Sequence, residues 1–259
     1  MNQELIVERR GPVAWLTVNR PEVRNALSLE LTRRMAQTLR DLASDRTLRV
    51  FVLTGAGDRV FVSGADVNEF REHLATPEAA LRYDAAAEQL QSALREVPQP
   101  VIAMIQGHAV GSGTIVAASC DFRLAVRTAK FGIPVAKFGF IATVPDTLRL
   151  VQLIGPAKAK WLLMTGTLIE ALEARAIGLI DEVAEPERLR QRVDEVAATL
   201  AANAPLTIKA TKQIIETLSA PTAAVASGAP WYSEIFRSRD FKAGLDAFFN
   251  KRKPEFTGE

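Results

Sequence analysis

Hydrophobic and polar positions alternate along the first half of the chain in a way that predicts strands and helices in turn. LIVERRGPVAWLTV, residues 5–18, is two apolar runs broken at Arg10–Gly11–Pro12, a pair of strands with a turn between them. A polar loop, Asn19 to Asn25, follows. SLELTRRMAQTLRDLA then spaces its apolar residues as an amphipathic helix does, with Ser28 as its N-cap. RVFVLTG is continuously apolar, the pattern of a buried strand, and it ends at the turn GAGD. After the short VFVSGAD, the trio Thr76–Pro77–Glu78 supplies a cap, a first-turn proline and a first-turn acid for another helix. PVIAMIQG and FRLAV are again strands, and beyond about Pro186 only the helical period remains. The pattern predicts an α/β part, residues 1–190, followed by an all-helical part, residues 191–259. That helical part carries APWYSEIF and FKAGLDAFF, more aromatic surface than a small appendage buries alone.

Composition narrows the function classes. Apolar residues make up 48% and charged residues 24% of 259, ordinary for a soluble globular protein. The net charge of +2, from 32 basic and 30 acidic residues, gives no electrostatic footprint for nucleic acid. The helix over 28–44 interleaves Arg33, Arg34 and Arg40 with acids, which also argues against an RNA-binding face. The single cysteine, Cys120, excludes an internal disulfide framework; among alanines it reads as a small buried residue. No apolar run is long enough to span a bilayer, and the N-terminus lacks the apolar core of a signal peptide. The expectation is a cytoplasmic protein without membrane partners.

Two strands break into small residues, FVSGADV at 61–67 and QGHAVGSGTI at 106–115. Neither has the spacing of a dinucleotide fingerprint, and no P-loop lysine follows. A turn that enters a helix leaves backbone N–H groups unpaired. Two such turns facing each other hold one oxygen between them, an oxyanion hole.

VNRPEVRNALS, FVLTGAGDRVFVSGADVNEF, VIAMIQGHAVGSGTIVAASCDFRLA, LLMTGTLIEALEARAIGLIDEV and DFKAGLDAFFNKRKPEF resemble, in order and spacing, the enoyl-CoA hydratase/isomerase (crotonase) family. The resemblance spans nearly the whole chain. It implies a spiral of strand–strand–helix units, a C-terminal helical region that builds trimers or dimers of trimers, and a CoA thioester as ligand. No covalently bound cofactor or metal is implied; coenzyme A arrives as part of the substrate. The thioester oxygen would be held by the N–H groups of Ala65 and Ser112. Ser112 stands where the family has glycine, and it keeps the donor if its backbone angle suits a side chain. Losing one such donor costs about 2.7–4 kcal/mol of barrier in other enzymes. The resemblance also places Arg24 at the nucleotide phosphates and Ser63, Gly64, Ala65, Asp66 and Val67 along the adenine and pantetheine. Gly111, Ile115 and Val135 would line the acyl site, and Phe248 and Lys251 would reach it from a neighbouring subunit.

Here the chain departs from the family. The positions of the two catalytic glutamates hold Ile115 and Val135. Neither moves protons, and each missing acid or base forfeits about 10²–10⁴ in rate. His108 and Asp146 are the substitutes at hand. A histidine under a glycine turn is more often a structural hydrogen-bonder, and Asp146 beside Thr143 and Pro145 reads as part of a helix N-terminus. The hydroxyls of Ser112 and Thr114 do not ionise without a base, and Lys137 reads as a solvated cation. His73 lies in a polar segment. Chemistry that needs the hole and no glutamate pair includes decarboxylation, isomerisation, retro-aldol cleavage and thioester hydrolysis. The alternative is an acyl-CoA-binding protein with little or no turnover.

Overall fold

The computed structural model describes residues 3–73, 76–219 and 237–254. β1 (Leu5–Arg10) and β2 (Val13–Val18) form the expected antiparallel pair, with Gly11 at φ +59° in the turn. α1 (Leu29–Ala43) follows, and the Ser28 hydroxyl accepts the Leu31 N–H at 3.2 Å as its cap. β3 (Val50–Gly55) then lies parallel to β2, and all of its residues are buried. β5 (Val101–Ile105), β7 (Phe122–Val126) and β10 (Glu182–Ala184) extend this sheet in parallel, in the order β1-β2-β3-β5-β7-β10. A second sheet has the order β4-β6-β8-β9, built from β4 (Val60–Val62), β6 (His108–Val110), β8 (Lys130–Gly132) and β9 (Ile169–Glu170).

After α1, three successive passages of the chain each give one strand to each sheet and then a helix. β3 and β4 lead through the short α2 (Phe70–His73) to α3 (Pro77–Glu96), whose cap is Thr76, as expected. β5 and β6 lead to α4 (Ser112–Ser119), and β7 and β8 lead to α5 (Val144–Thr165). This is the strand–strand–helix spiral. Glycine makes its tight winding possible: a Cβ on Gly113 would lie 2.0 Å from the Val62 carbonyl oxygen.

α6 (Ala171–Ala176) precedes β10, and α7 (Pro186–Ala202) packs Leu189, Val193 and Ala197 into the main core. Residue 190, the expected boundary, therefore lies inside a core helix. α8 (Pro205–Leu218) is tied down by buried Lys212, whose Nζ donates to Leu94 O at 2.9 Å, Gln99 O at 3.2 Å and Asp121 Oδ2 at 2.7 Å. Leu206, Ile214, Ile215 and Leu218 on this helix remain exposed. α9 (Arg239–Phe249) packs so closely on the chain that a Cβ on Gly244 would lie 2.1 Å from Phe138 O. APWYSEIF lies outside the described residues. The aromatics of FKAGLDAFF differ from expectation: Phe241 is buried beside Phe140 and Phe70, and Phe248 meets Phe138 edge-on at 5.2 Å. Much of that aromatic surface is thus covered within the chain. Among the described residues no helix is long and apolar enough to cross a membrane.

Candidate active site

β4 and β6 run side by side and deliver two turns to one place. Gly64 has φ +123° and Gly111 φ +57°, conformations that side chains rarely adopt. A Cβ on Gly64 would lie 3.8 Å from Ser112 N and 4.0 Å from Gly111 Cα, so the turns face each other closely. The residues that follow, Ala65 and Ser112, are outside the left-handed region. Serine at 112 therefore costs no backbone strain, because Gly111 takes the unusual angle and Ser112 is simply the first residue of α4. Leu27 N–H donates to Gly64 O at 2.9 Å and Asp66 N–H to Leu27 O at 2.8 Å, which pins the first turn from both sides of Ala65. The N–H groups of Ala65 and Ser112 find no acceptor among the described residues. Two free donors at facing turns can share one anionic oxygen.

Ala65 and Ser112 line a cavity of about 70 Å³. Ile115 and Val116 of α4, Leu90 and Gln91 of α3, and Thr143 and Asp146 at the start of α5 complete its inner wall. Asp146 stands in the first turn of α5, as expected, and Thr143 caps that helix, its hydroxyl accepting Asp146 N–H at 3.1 Å. The Asp146 carboxyl also lines the cavity, where Oδ1 is buried with no hydrogen-bond partner among the described residues. Burial pushes its pKa up to about 6, outweighing the opposing influence of Gln91, Thr143 and the Arg95 charge. A carboxyl group in that range is mostly ionised at about pH 7 but keeps a protonated fraction, which suits proton transfer.

The other expected residues separate by environment. His108 does not line the cavity; it sits at the exposed start of β6, where Nδ1 accepts Lys130 N–H at 3.1 Å, a structural role. The Asp66 carboxylate pairs with Arg20 at 3.0 Å and accepts Asn68 N–H. Val67 packs beside Phe70, and Ser63 N–H donates to Arg24 O at 3.2 Å. Arg24 itself is exposed and left-handed, φ +58°, on a loop fixed by buried Asn25 through Ala56 O and Val60 O. Val135 packs against the main core and does not line the cavity, whereas Ile115 does. Phe248 packs on Phe138 of its own chain, and Lys251 is exposed. Thr114 is consumed by bonds to Ala109 O and Gly132 O, and the Lys137 stem lies across Gly166. Cys120 is buried and its thiol is pushed up to about 12, so it is inert. His73 stacks on Tyr83. The sequence reading missed Asp84 and Gln91, both on the cavity wall.

The enoyl-CoA hydratase/isomerase family model matches residues 8–259 of this chain. The chain belongs to that family. It is 35% identical over 253 residues to the short-chain-enoyl-CoA hydratase of Clostridium acetobutylicum, covering 97% of this chain and 96% of the relative. The crystal structure of an enoyl-CoA hydratase/carnithine racemase from Magnetospirillum magneticum superposes with TM-score 0.83 at 35% identity, over 100% and 97% of the two chains. Methylmalonyl-CoA decarboxylase in complex with 2-nitronate-propionyl-CoA superposes with TM-score 0.90 at 27% identity, over 99% of each chain. The protein is thus a crotonase-family acyl-CoA enzyme, and the family relatives include both hydratases and a decarboxylase.

Proposed function

We propose that this enzyme binds the oxygen of a CoA thioester between the N–H groups of Ala65 and Ser112 and decarboxylates a malonyl-type acyl group. The supporting observation is one cavity that joins two free donors to the buried carboxyl of Asp146, with isoleucine at the first glutamate position. Breaking the bond between the α-carbon and the carboxylate releases CO₂, and its electron pair flows to the thioester oxygen as an enolate. No base removes a proton in that step. Asp146 then gives its proton to the α-carbon and is reprotonated from solvent. The similarity to methylmalonyl-CoA decarboxylase favours this member of the enolate-forming set over isomerisation, retro-aldol cleavage or hydrolysis.

Asp146→Asn keeps the shape and removes the acid. It is expected to lower kcat by about 10²-fold with KM little changed. Unchanged kcat removes Asp146 from the reaction. Stabilisation by CoA thioesters with no turnover of any malonyl-type substrate would favour the binding-protein reading instead.

In this reading Arg24 and Lys251 meet the CoA phosphates, and Ser63, Gly64 and Gly111 lie along the pantetheine. Arg24→Ala and Lys251→Ala should weaken CoA binding, more at low salt, because exposed charges are screened. A pantetheine thioester lacking the nucleotide should be nearly unaffected. Equal losses for both ligands, read by calorimetry, would contradict the assignment.

The exposed apolar residues of α8 and of the end of α5, Trp161 at 56% and Met164 at 71% exposure, support assembly through the C-terminal part. A trimer or dimer of trimers is expected by light scattering at micromolar concentration; a monomer mass overturns it.

A further inference from the structure

Two buried oxygens on the cavity wall have no hydrogen-bond donor among the described residues, Gln91 Oε1 and Asp146 Oδ1. They come from different helices, α3 and α5, and both residues line the same cavity as Ala65 and Ser112. As it stands the Gln91 N–H₂ is the side that acts on the Asp146 carboxyl, lowering its pKa, and a half-turn of the amide presents Oε1 in its place. Both orphaned atoms are acceptors, so neither can satisfy the other unless a hydrogen is supplied. One proton on the carboxyl supplies it.

We propose that Asp146 enters the reaction as a neutral carboxylic acid whose hydroxyl donates to Gln91 Oε1, and that Gln91 is the positioning residue that holds this proton. The inference rests on the proposed function only for the use made of the proton. The opposite arrangement, with the glutamine N–H₂ turned to an ionised carboxylate, leaves Oε1 without a donor. It also puts an anion into a cavity that Asp84 already lines.

The surroundings fit a neutral acid. α1 contributes Leu29 and Thr32 to the cavity, and α4 contributes Ser112, Ile115 and Val116, all uncharged. The charge that acts on Asp146 from α3 is Arg95, shared with Glu216 of α8 at 3.7 Å, and Tyr83 and Asp84 of α3 also line the cavity. In the reaction the Asp146 O–H bond breaks as the new C–H bond forms at the enolate carbon. The carboxylate so produced recovers a proton from solvent and the link to Gln91 closes again.

The arrangement carries a sign that an experiment can read. A hydrogen bond made by the neutral form raises a carboxyl group's pKa, and one made to the ionised form lowers it. Carboxyl-labelled aspartate NMR, with Asp146 assigned by Asp146→Asn, follows its titration in the apo enzyme. Gln91→Met, close in shape and without an acceptor, is expected to lower the midpoint by about one pH unit. A raised or unchanged midpoint overturns the proposal. Infrared difference spectra of wild type against Asp146→Asn at pH 5 read the same point without a Gln91 variant. A protonated, hydrogen-bonded carboxyl band is expected; a carboxylate band alone overturns it. These readouts need no substrate, so they separate from the proposed function: retained turnover in Asp146→Asn would sink that reading and leave the Gln91 link standing.

Discussion

Hydration of crotonyl-CoA by this enzyme is expected to run at least about 10²-fold below that of a relative bearing both glutamates. Adding water across the double bond needs a base on the water and an acid at the α-carbon. The family positions for these groups hold Ile115, buried on the cavity wall, and Val135, half-buried against the core. Asp146 is one carboxyl and cannot serve both ends of the addition at once. Loss of the conjugated enoyl absorbance with purified protein measures the rate. A rate within tenfold of a glutamate-bearing relative would contradict the account, and would mean that Asp146 and Asp84 together replace the missing pair.

Ser112→Pro is expected to lower kcat by about 10²–10³-fold, the effect of removing one donor from an oxyanion hole. The substitution is unusually clean at this position. Ser112 is the first residue of α4, its N–H has no acceptor in the fold among the described residues, and proline's fixed φ suits a helix start. It therefore deletes the donor without deleting a structural hydrogen bond. The preceding residue is Gly111, the type least restricted by a following proline. Thermal stability should change little while turnover collapses. A variant that folds and retains full kcat would remove Ser112 from the hole.

The sequence made the architecture legible because each element carried its own local signal. Ser28 and Thr76 cap the helices they precede, and the continuous apolar run of β3 marks a strand buried on both faces. The family motifs led to Ala65 and Ser112, which the fold brings together from β4 and β6. What escaped depended on long-range packing. Whether serine could stand at 112 turned on the backbone angle of Gly111, which β6 and β8 fix: Gly111 N–H donates to Gly132 O at 2.8 Å. Asp146 does stand at a helix start, but nothing local shows that its carboxyl is also buried on the cavity wall with residues of α3 and α4. His108 looked close to the chemistry because it is near Ser112 in sequence, yet β6 runs between them and leaves it at the exposed end. Asp84 and Gln91 were hidden in a helical stripe, Ala80, Asp84, Ala87, Gln91 and Leu94. Two polar residues seven apart on an otherwise apolar face were the available sign of a wet cavity.

Decarboxylation in D₂O tests the account at its root. Malonyl-CoA and methylmalonyl-CoA, each incubated with the wild-type enzyme, report CO₂ release and the isotopic content of the acyl product together. One CO₂ per thioester consumed is expected from at least one of them, with a single deuterium at the new α-C–H and a rate above that of crotonyl-CoA hydration. Malonyl-type thioesters left intact by enzyme that hydrates crotonyl-CoA would contradict it.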